Sequence, residues 1–65
     1  METRDRILLV ARRCFARHGF HGTSVDRIVG EAGISKGSLY WHFPCKFDIY
    51  RAVLESQAKD LSRFF

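Results

Sequence analysis

Apolar residues recur along the first third of the chain at helical spacing. Ile7, Leu8, Val10, Ala11, Cys14, Phe15 and His18 fall on one side, while Arg6, Arg12, Arg13 and Arg17 fill the others. A period of 3.6 residues gathers such positions into one stripe, so the pattern predicts an amphipathic helix over about residues 4–18. Thr3 is placed to cap its start, and Asp5 sits in the first turn, where the helix dipole favours an acid. Gly19 can take the left-handed conformation that ends it, with Phe20 as the apolar residue folding back after the stop.

Val25, Ile28, Val29 and Ala32 repeat the spacing and predict a second helix over about residues 24–32. Thr23-Ser24-Val25-Asp26 reads as a variant capping box, with the Thr23 hydroxyl accepting from an early backbone N–H and Asp26 in the positive first turn. Gly33 stops this helix. Gly30, inside it, costs up to about 1 kcal/mol relative to alanine, which predicts a close neighbour that needs the missing side chain. Ser35 caps a short third helix over about residues 35–42. Pro44 and Cys45 open a fourth, over about residues 45–62, because proline is tolerated in a first turn. Its inward stripe is Ile49, Tyr50, Val53, Leu54, Gln57 and Leu61.

No strand signal, repeat or low-complexity segment interrupts this pattern, and the fold class it predicts is all-α. The expected architecture is a small helical bundle in one domain, residues 1–65. The first helix packs on a helix-turn-helix pair, joined by the tight turn Gly33-Ile34-Ser35, and a longer fourth helix follows. In such a pair the second helix is the candidate reader of a DNA groove.

That third helix carries Tyr40, Trp41 and His42, with Phe43 directly after them. With Leu39 at the centre of the core face, steps of about 100° per residue place Phe43 about 40° from the centre and His42 about 60° from it. Tyr40 lies about 100° away, and Trp41 and Gly37 about 160° away. Leu39 and Phe43 therefore anchor the helix, while Tyr40 and Trp41 are pushed outward. The alternative for Trp41 is peripheral packing against a neighbouring helix.

A chain of 65 residues, 46% hydrophobic and 28% charged, supports one small core with little room for an enclosed active site. No paired nucleophile and base stands out, and the reading is of a protein that is not an enzyme. The net charge of +4 is distributed unevenly. Arg4, Arg6, Arg12, Arg13 and Arg17 outnumber Glu2 and Asp5 before residue 19, and residues 35–46 hold Lys36 and Lys46 without an acid. Such clustering suits a polyanion as well as it suits a solvated basic surface.

Two cysteines, with no signal-peptide pattern and no apolar run long enough to span a bilayer, point to a cytoplasmic chain with free thiols and no membrane partner. Cys14 and His18 share a helix face at i, i+4 but lack the further paired ligands of a structural zinc site, so no metal or other cofactor is expected.

From Ile7 to Glu55 the chain resembles the amino-terminal domain of the tetracycline-repressor (TetR) family. The stretches ILLVARRCFARHGFHGTSVDRIV and EAGISKGSLYWHFPCKFDIYRAVLE carry the likeness, and Ala-Gly-Ile-Ser-Lys-Gly-Ser-Leu-Tyr-x-His-Phe is its most specific part. Departures are Val29 for a usual alanine, Cys45 for a usual serine, which weakens a cap, and Phe47 for a frequent charge.

The resemblance implies a third helix in the major groove of double-stranded DNA. Lys36, Gly37 and Ser38 then fall where base edges are met. Ser35, Tyr40, Trp41 and His42 fall near phosphates or thymine methyls, Lys46 matches a phosphate-binding lysine, and Thr23, Ser24 and Val25 match a second phosphate contact. It further implies a homodimer on a palindromic operator, repression, and a small-molecule inducer held by a carboxy-terminal domain absent from these residues. The rival reading is a small protein-interaction module anchored by Tyr40 and Trp41.

Overall fold

The computed structural model describes the backbone of residues 2–62, with side chains described through Gln57. Its elements are α1 (Thr3–Gly22), α2 (Val25–Ala32), α3 (Lys36–His42) and α4 (Lys46–Ser62), and no strand occurs among the described residues. α1 packs against α2 and α4, and α3 lies on α2 and the side of α1. The apolar stripes explain this arrangement. Ile7, Val10, Ala11, Cys14 and Phe15 of α1 meet Ile28 and Ala32 of α2, Leu39 of α3, Phe43, and Ile49 and Val53 of α4 in one buried cluster. Ile7, Ile28, Leu39 and Ile49 are fully enclosed, so each helix contributes a large apolar side chain with no solvent contact.

Several local expectations shift. Thr3 lies inside the first turn of α1; Glu2 occupies the cap position and makes no side-chain cap bond. Gly19 interrupts the helix at φ 77°, ψ 172°, a positive φ but an extended ψ, after which Phe20 to Gly22 form a further turn. His18, read as part of the apolar stripe, is exposed. The other stop behaves as read: Gly33 adopts the left-handed conformation (φ 70°, ψ 36°), and its N–H reaches the Val29 carbonyl at 2.9 Å.

Beyond the backbone of its own helix turn, Gly30 has no neighbour within 4 Å of where a Cβ would stand, which corrects the expectation of a close neighbour there. Only the conformational cost of glycine remains at that site. Gly30→Ala is therefore expected to stabilise the domain by about 0.5–1 kcal/mol, seen as a higher urea midpoint at unchanged slope.

α4 begins at Lys46, slightly later than read, and the Cys45 carbonyl accepts from the N–H groups of Asp48 and Ile49. The Cys45 thiol lies 3.3 Å from the Asp48 carboxylate, a weak donor in the place of a serine hydroxyl. Along α4, Ile49 and Val53 are buried and Tyr50 and Gln57 half-buried, but Leu54 is 47% exposed, off the face that meets α1. Leu61 lies outside the described side chains. Phe15, Phe20 and Tyr50 close the α1 to α4 contact with ring centroids 5.1–5.9 Å apart, within the range of favourable aromatic pairing.

Candidate nucleic-acid interface

α3 has seven residues, too few to persist as an isolated helix, so packing and capping must hold it. Ser35 is its cap: at φ −83°, ψ 157° its hydroxyl accepts from the Ser38 N–H at 3.1 Å. Leu39 fixes the inner face with no exposure, and Phe43, just past the helix end, adds a second buried anchor at 4%. The outer face follows from that anchoring. Trp41 is 85% exposed and Tyr40 44%, so Trp41 is not peripheral core. His42 is half-buried beside Phe43, consistent with its boundary position, and Gly37 is exposed, with nothing closer to its would-be Cβ than the Ser35 hydroxyl at 4.0 Å.

Ser35→Ala removes the cap that satisfies an orphan N–H. It is expected to cost about 0.5–2 kcal/mol, and a calorimetric melt equal to the parent's would contradict that role.

The start of α2 differs from the reading in register. Thr23 is extended (φ −107°, ψ 121°) and fully buried, with its hydroxyl donating to the Cys14 carbonyl at 3.0 Å. Its N–H points to the Phe20 carbonyl at 3.4 Å. With both polar groups turned inward, Thr23 presents nothing to an external phosphate and leaves the candidate set. Ser24 takes the cap, accepting from the Arg27 N–H at 3.1 Å, and its exposed side chain stands at the helix N-terminus. Val25 is half-buried against the core, so only its backbone faces outward chemistry.

Lys46 has two partners that spacing does not reveal. Its ammonium donates to the carbonyls of Phe20 at 2.7 Å and Thr23 at 2.9 Å, and lies 4.3 Å from the Phe20 ring centroid. An ammonium has three N–H donors, so one remains for an outside acceptor. Lys46 thus ties the α1–α2 turn to the start of α4 beside the Ser24 cap.

The charge on the outer face is also tertiary in origin. Lys36 pairs with Asp26 of α2, Nζ to Oδ1 at 2.7 Å, and the bond to that carboxylate raises the lysine above its usual range, so it stays charged at neutral pH. Arg4, at the start of α1, places its guanidinium 5.3 Å from the Phe43 ring centroid, near the end of α3. Nothing in the sequence marks Asp26 or Arg4 as part of the site. No periodicity within one helix signals a partner on another.

The two cysteines are free and differ in environment. Cys14 is buried, and burial together with its bond to Glu31, Sγ to Oε2 at 2.7 Å, pushes the thiol up to about 11; the same bond lowers the Glu31 carboxyl below its ordinary value. A raised folded-state value means that the thiol favours folding below its unfolded value near 9 and loses that contribution as pH rises toward 11. Exposed Cys45 is accordingly expected to react with a thiol reagent at neutral pH well before Cys14, and equal rates for the two would contradict this assignment. Among the described residues no cluster of three potential ligands could hold a metal ion, and no helix is long and apolar enough to cross a membrane.

The family model described as "Bacterial regulatory proteins, tetR family" matches residues 7–53. The HTH-type transcriptional regulator SrpR of Pseudomonas putida is 38% identical over 64 residues, covering 98% of this chain and 30% of that protein. AcrR of Shigella flexneri, also named an HTH-type transcriptional regulator, is 43% identical over 54 residues, covering 83% of this chain and 25% of that protein. Among solved structures, the TetR family protein CprB from S. coelicolor A3(2) superposes with a TM-score of 0.89 at 40% identity, over 97% of this chain and 33% of that one. The chain thus spans about a third or less of the length of these three relatives. A capped short helix set on a three-residue turn, the family match and the superposition agree: the chain belongs to the tetR family of bacterial regulatory proteins and forms its helix-turn-helix DNA-binding domain.

Proposed function

We propose that this domain reads duplex DNA by inserting α3 into the major groove, as part of a homodimeric regulator that occupies a palindromic operator and represses transcription. The observation that carries the reading is the exposure of Trp41, 85%, on the face of α3 opposite fully buried Leu39. A large ring held in water on a capped, core-anchored helix is an arrangement that makes sense when a partner covers it. The basic stretch of residues 35–46 and the major-groove geometry of a second helix in such a pair make that partner duplex DNA.

In this reading Lys36, Gly37 and Ser38 meet base edges. Gly37 admits close approach of the backbone, Lys36 donates to acceptors such as guanine O6 and N7, and Ser38 supplies a hydroxyl. Tyr40, Trp41 and His42 flank them, meeting phosphates or thymine methyls. The helix N-termini capped by Ser24 and Ser35, and the third proton of Lys46, meet phosphates, where free N–H groups and positive dipole ends favour an anion. The intact protein would act in the cytoplasm, with an inducer site outside these 65 residues.

Selection of the intact protein against a randomised duplex pool tests the roles. Lys36→Ala and Ser38→Ala are each expected to change the preferred base at one or two positions, by about 1–3 kcal/mol in discrimination. An unchanged base ranking in both variants would remove these residues from direct readout.

A further inference from the structure

Asp26 is the acid that the fold carries to the start of α3. It is the second residue of α2, its side chain is 76% exposed, and its carboxylate oxygen stands 2.7 Å from the Lys36 ammonium. The stretch from residue 33 to residue 46 contains no acid of its own, so this negative charge reaches the proposed DNA-binding face only through the packing of α2 against α3. At the N-terminus of α2 a carboxylate is favoured by the helix dipole, yet it occupies ground where a phosphate would otherwise be welcome. A domain built for general attraction to DNA has no use for a carboxylate there.

We propose that Asp26 is a specificity-determining residue that acts through Lys36, directing its ammonium to base edges and away from phosphates at some loss of general DNA affinity. This rests on the reading of α3 as the groove helix. The bond to Asp26 uses one of the three Lys36 donors and draws Nζ toward the start of α2, leaving two N–H groups for a pair of acceptors on a base edge. A phosphate approaching Lys36 meets the Asp26 carboxylate as well, so the general contact is discouraged while an uncharged base edge is not. A free lysine in the same place would neutralise a phosphate on any sequence. Asp26 is thus a positioning residue for Lys36 and a repulsive element against unspecific backbone binding.

Asp26→Asn in the intact protein keeps the size of the side chain and removes its charge. Affinity for a random-sequence duplex is expected to rise roughly five- to tenfold at about 0.1 M salt, with the slope of log K against log salt steeper by about 0.9, the mark of one more neutralised phosphate. In selection from a randomised pool, Asp26→Asn should blur the same base position that Lys36→Ala blurs. Asp26→Glu, which keeps the charge, should bind random duplex within about twofold of the parent. In the Lys36→Ala background, Asp26→Asn should leave the base ranking as Lys36→Ala alone sets it.

Unchanged or weaker binding of Asp26→Asn to random duplex, or an unchanged base ranking, overturns the proposal. Loss of salt-dependent duplex binding in the parent protein is a different result and would overturn the DNA reading itself. A circular dichroism melt of each variant shows that the comparison is made on folded protein, which the exposure of Asp26 leads us to expect.

Discussion

Lys46→Met is expected to destabilise the domain by about 2–4 kcal/mol, because hydrogen bonds to a charged group contribute about 1.5–3 kcal/mol each and their loss leaves acceptors unsatisfied. The two bonds in question run from the ammonium to the carbonyls of Phe20 and Thr23, at 2.7 and 2.9 Å, beneath the shelter of the Phe20 ring. α1 ends at Gly22, so the Phe20 carbonyl keeps only the long 3.4 Å bond from the Thr23 N–H, and Lys46 reaches back to supply a shorter one there and another at the Thr23 carbonyl. The methionine retains the apolar stem and deletes only the donors, so packing against Phe20 survives while the link is lost. In a domain this small, where about 1 kcal/mol moves the melting temperature by about 4–8 °C, the effect should be plain in a thermal melt. A melting temperature within about 2 °C of the parent's would mean that water replaces the ammonium at little cost.

Leu39→Ala is expected to cost about 2–5 kcal/mol, the range for truncating an enclosed leucine and leaving a partly unfilled cavity. Its consequence for function should exceed its consequence for the fold. α3 is seven residues long, and without Leu39 its ties to the bundle are Phe43, Ile34 just before it and the exposed Lys36–Asp26 pair. The face bearing Lys36, Gly37, Ser38 and Trp41 would then lose its fixed orientation while α1, α2 and α4 keep much of their shared core. Hydrogen exchange resolves the two effects: amides of α3 should lose protection first, ahead of those around Ile7, Ile28 and Ile49. Uniform loss of protection across all four helices would show instead that α3 does not open separately from the rest.

Much of this arrangement is legible in the sequence, for identifiable reasons. The stripes of α1 and α2, the stop at Gly33 and the cap at Ser35 are local matters, decided within a few residues by periodicity and backbone preference. The same arithmetic on α3 separates Leu39 and Phe43 from Tyr40 and Trp41, and the structure buries the first pair and exposes the second. What periodicity misses is tertiary. Thr23 reads as the cap in sequence; Ser24 takes that place because the Thr23 hydroxyl is committed to the Cys14 carbonyl of α1.

Lys46 and Asp26 illustrate the same limit. The lysine reads as a surface charge until the α1–α2 turn is seen beside it, and Asp26 reads as a first-turn acid until α3 crosses close by. Gly30 errs in the opposite sense. Its presence in a helix suggests crowding, yet the space beside it is open, and nothing in the structure explains why it is glycine. The family likeness supplies positions for DNA contacts, but which of those side chains remain available outward is decided by burial and internal bonding, as the withdrawal of Thr23 shows.

In the proposed reading α3 meets duplex DNA with the face that carries Trp41. These 65 residues hold one tryptophan, so once any tryptophan elsewhere in the intact protein is replaced by phenylalanine, the emission reports on that face alone. The most direct measurement is acrylamide quenching of Trp41 during titration of the intact protein with duplex DNA, repeated from about 0.05 to 0.2 M salt, a range over which a protein contacting several phosphates loses affinity steeply. Duplex should shield Trp41 from the quencher, and the affinity should fall with salt by a slope of about −0.9 for each phosphate contacted. Binding that leaves Trp41 as open to acrylamide as in the free protein, or that ignores salt, would contradict that reading.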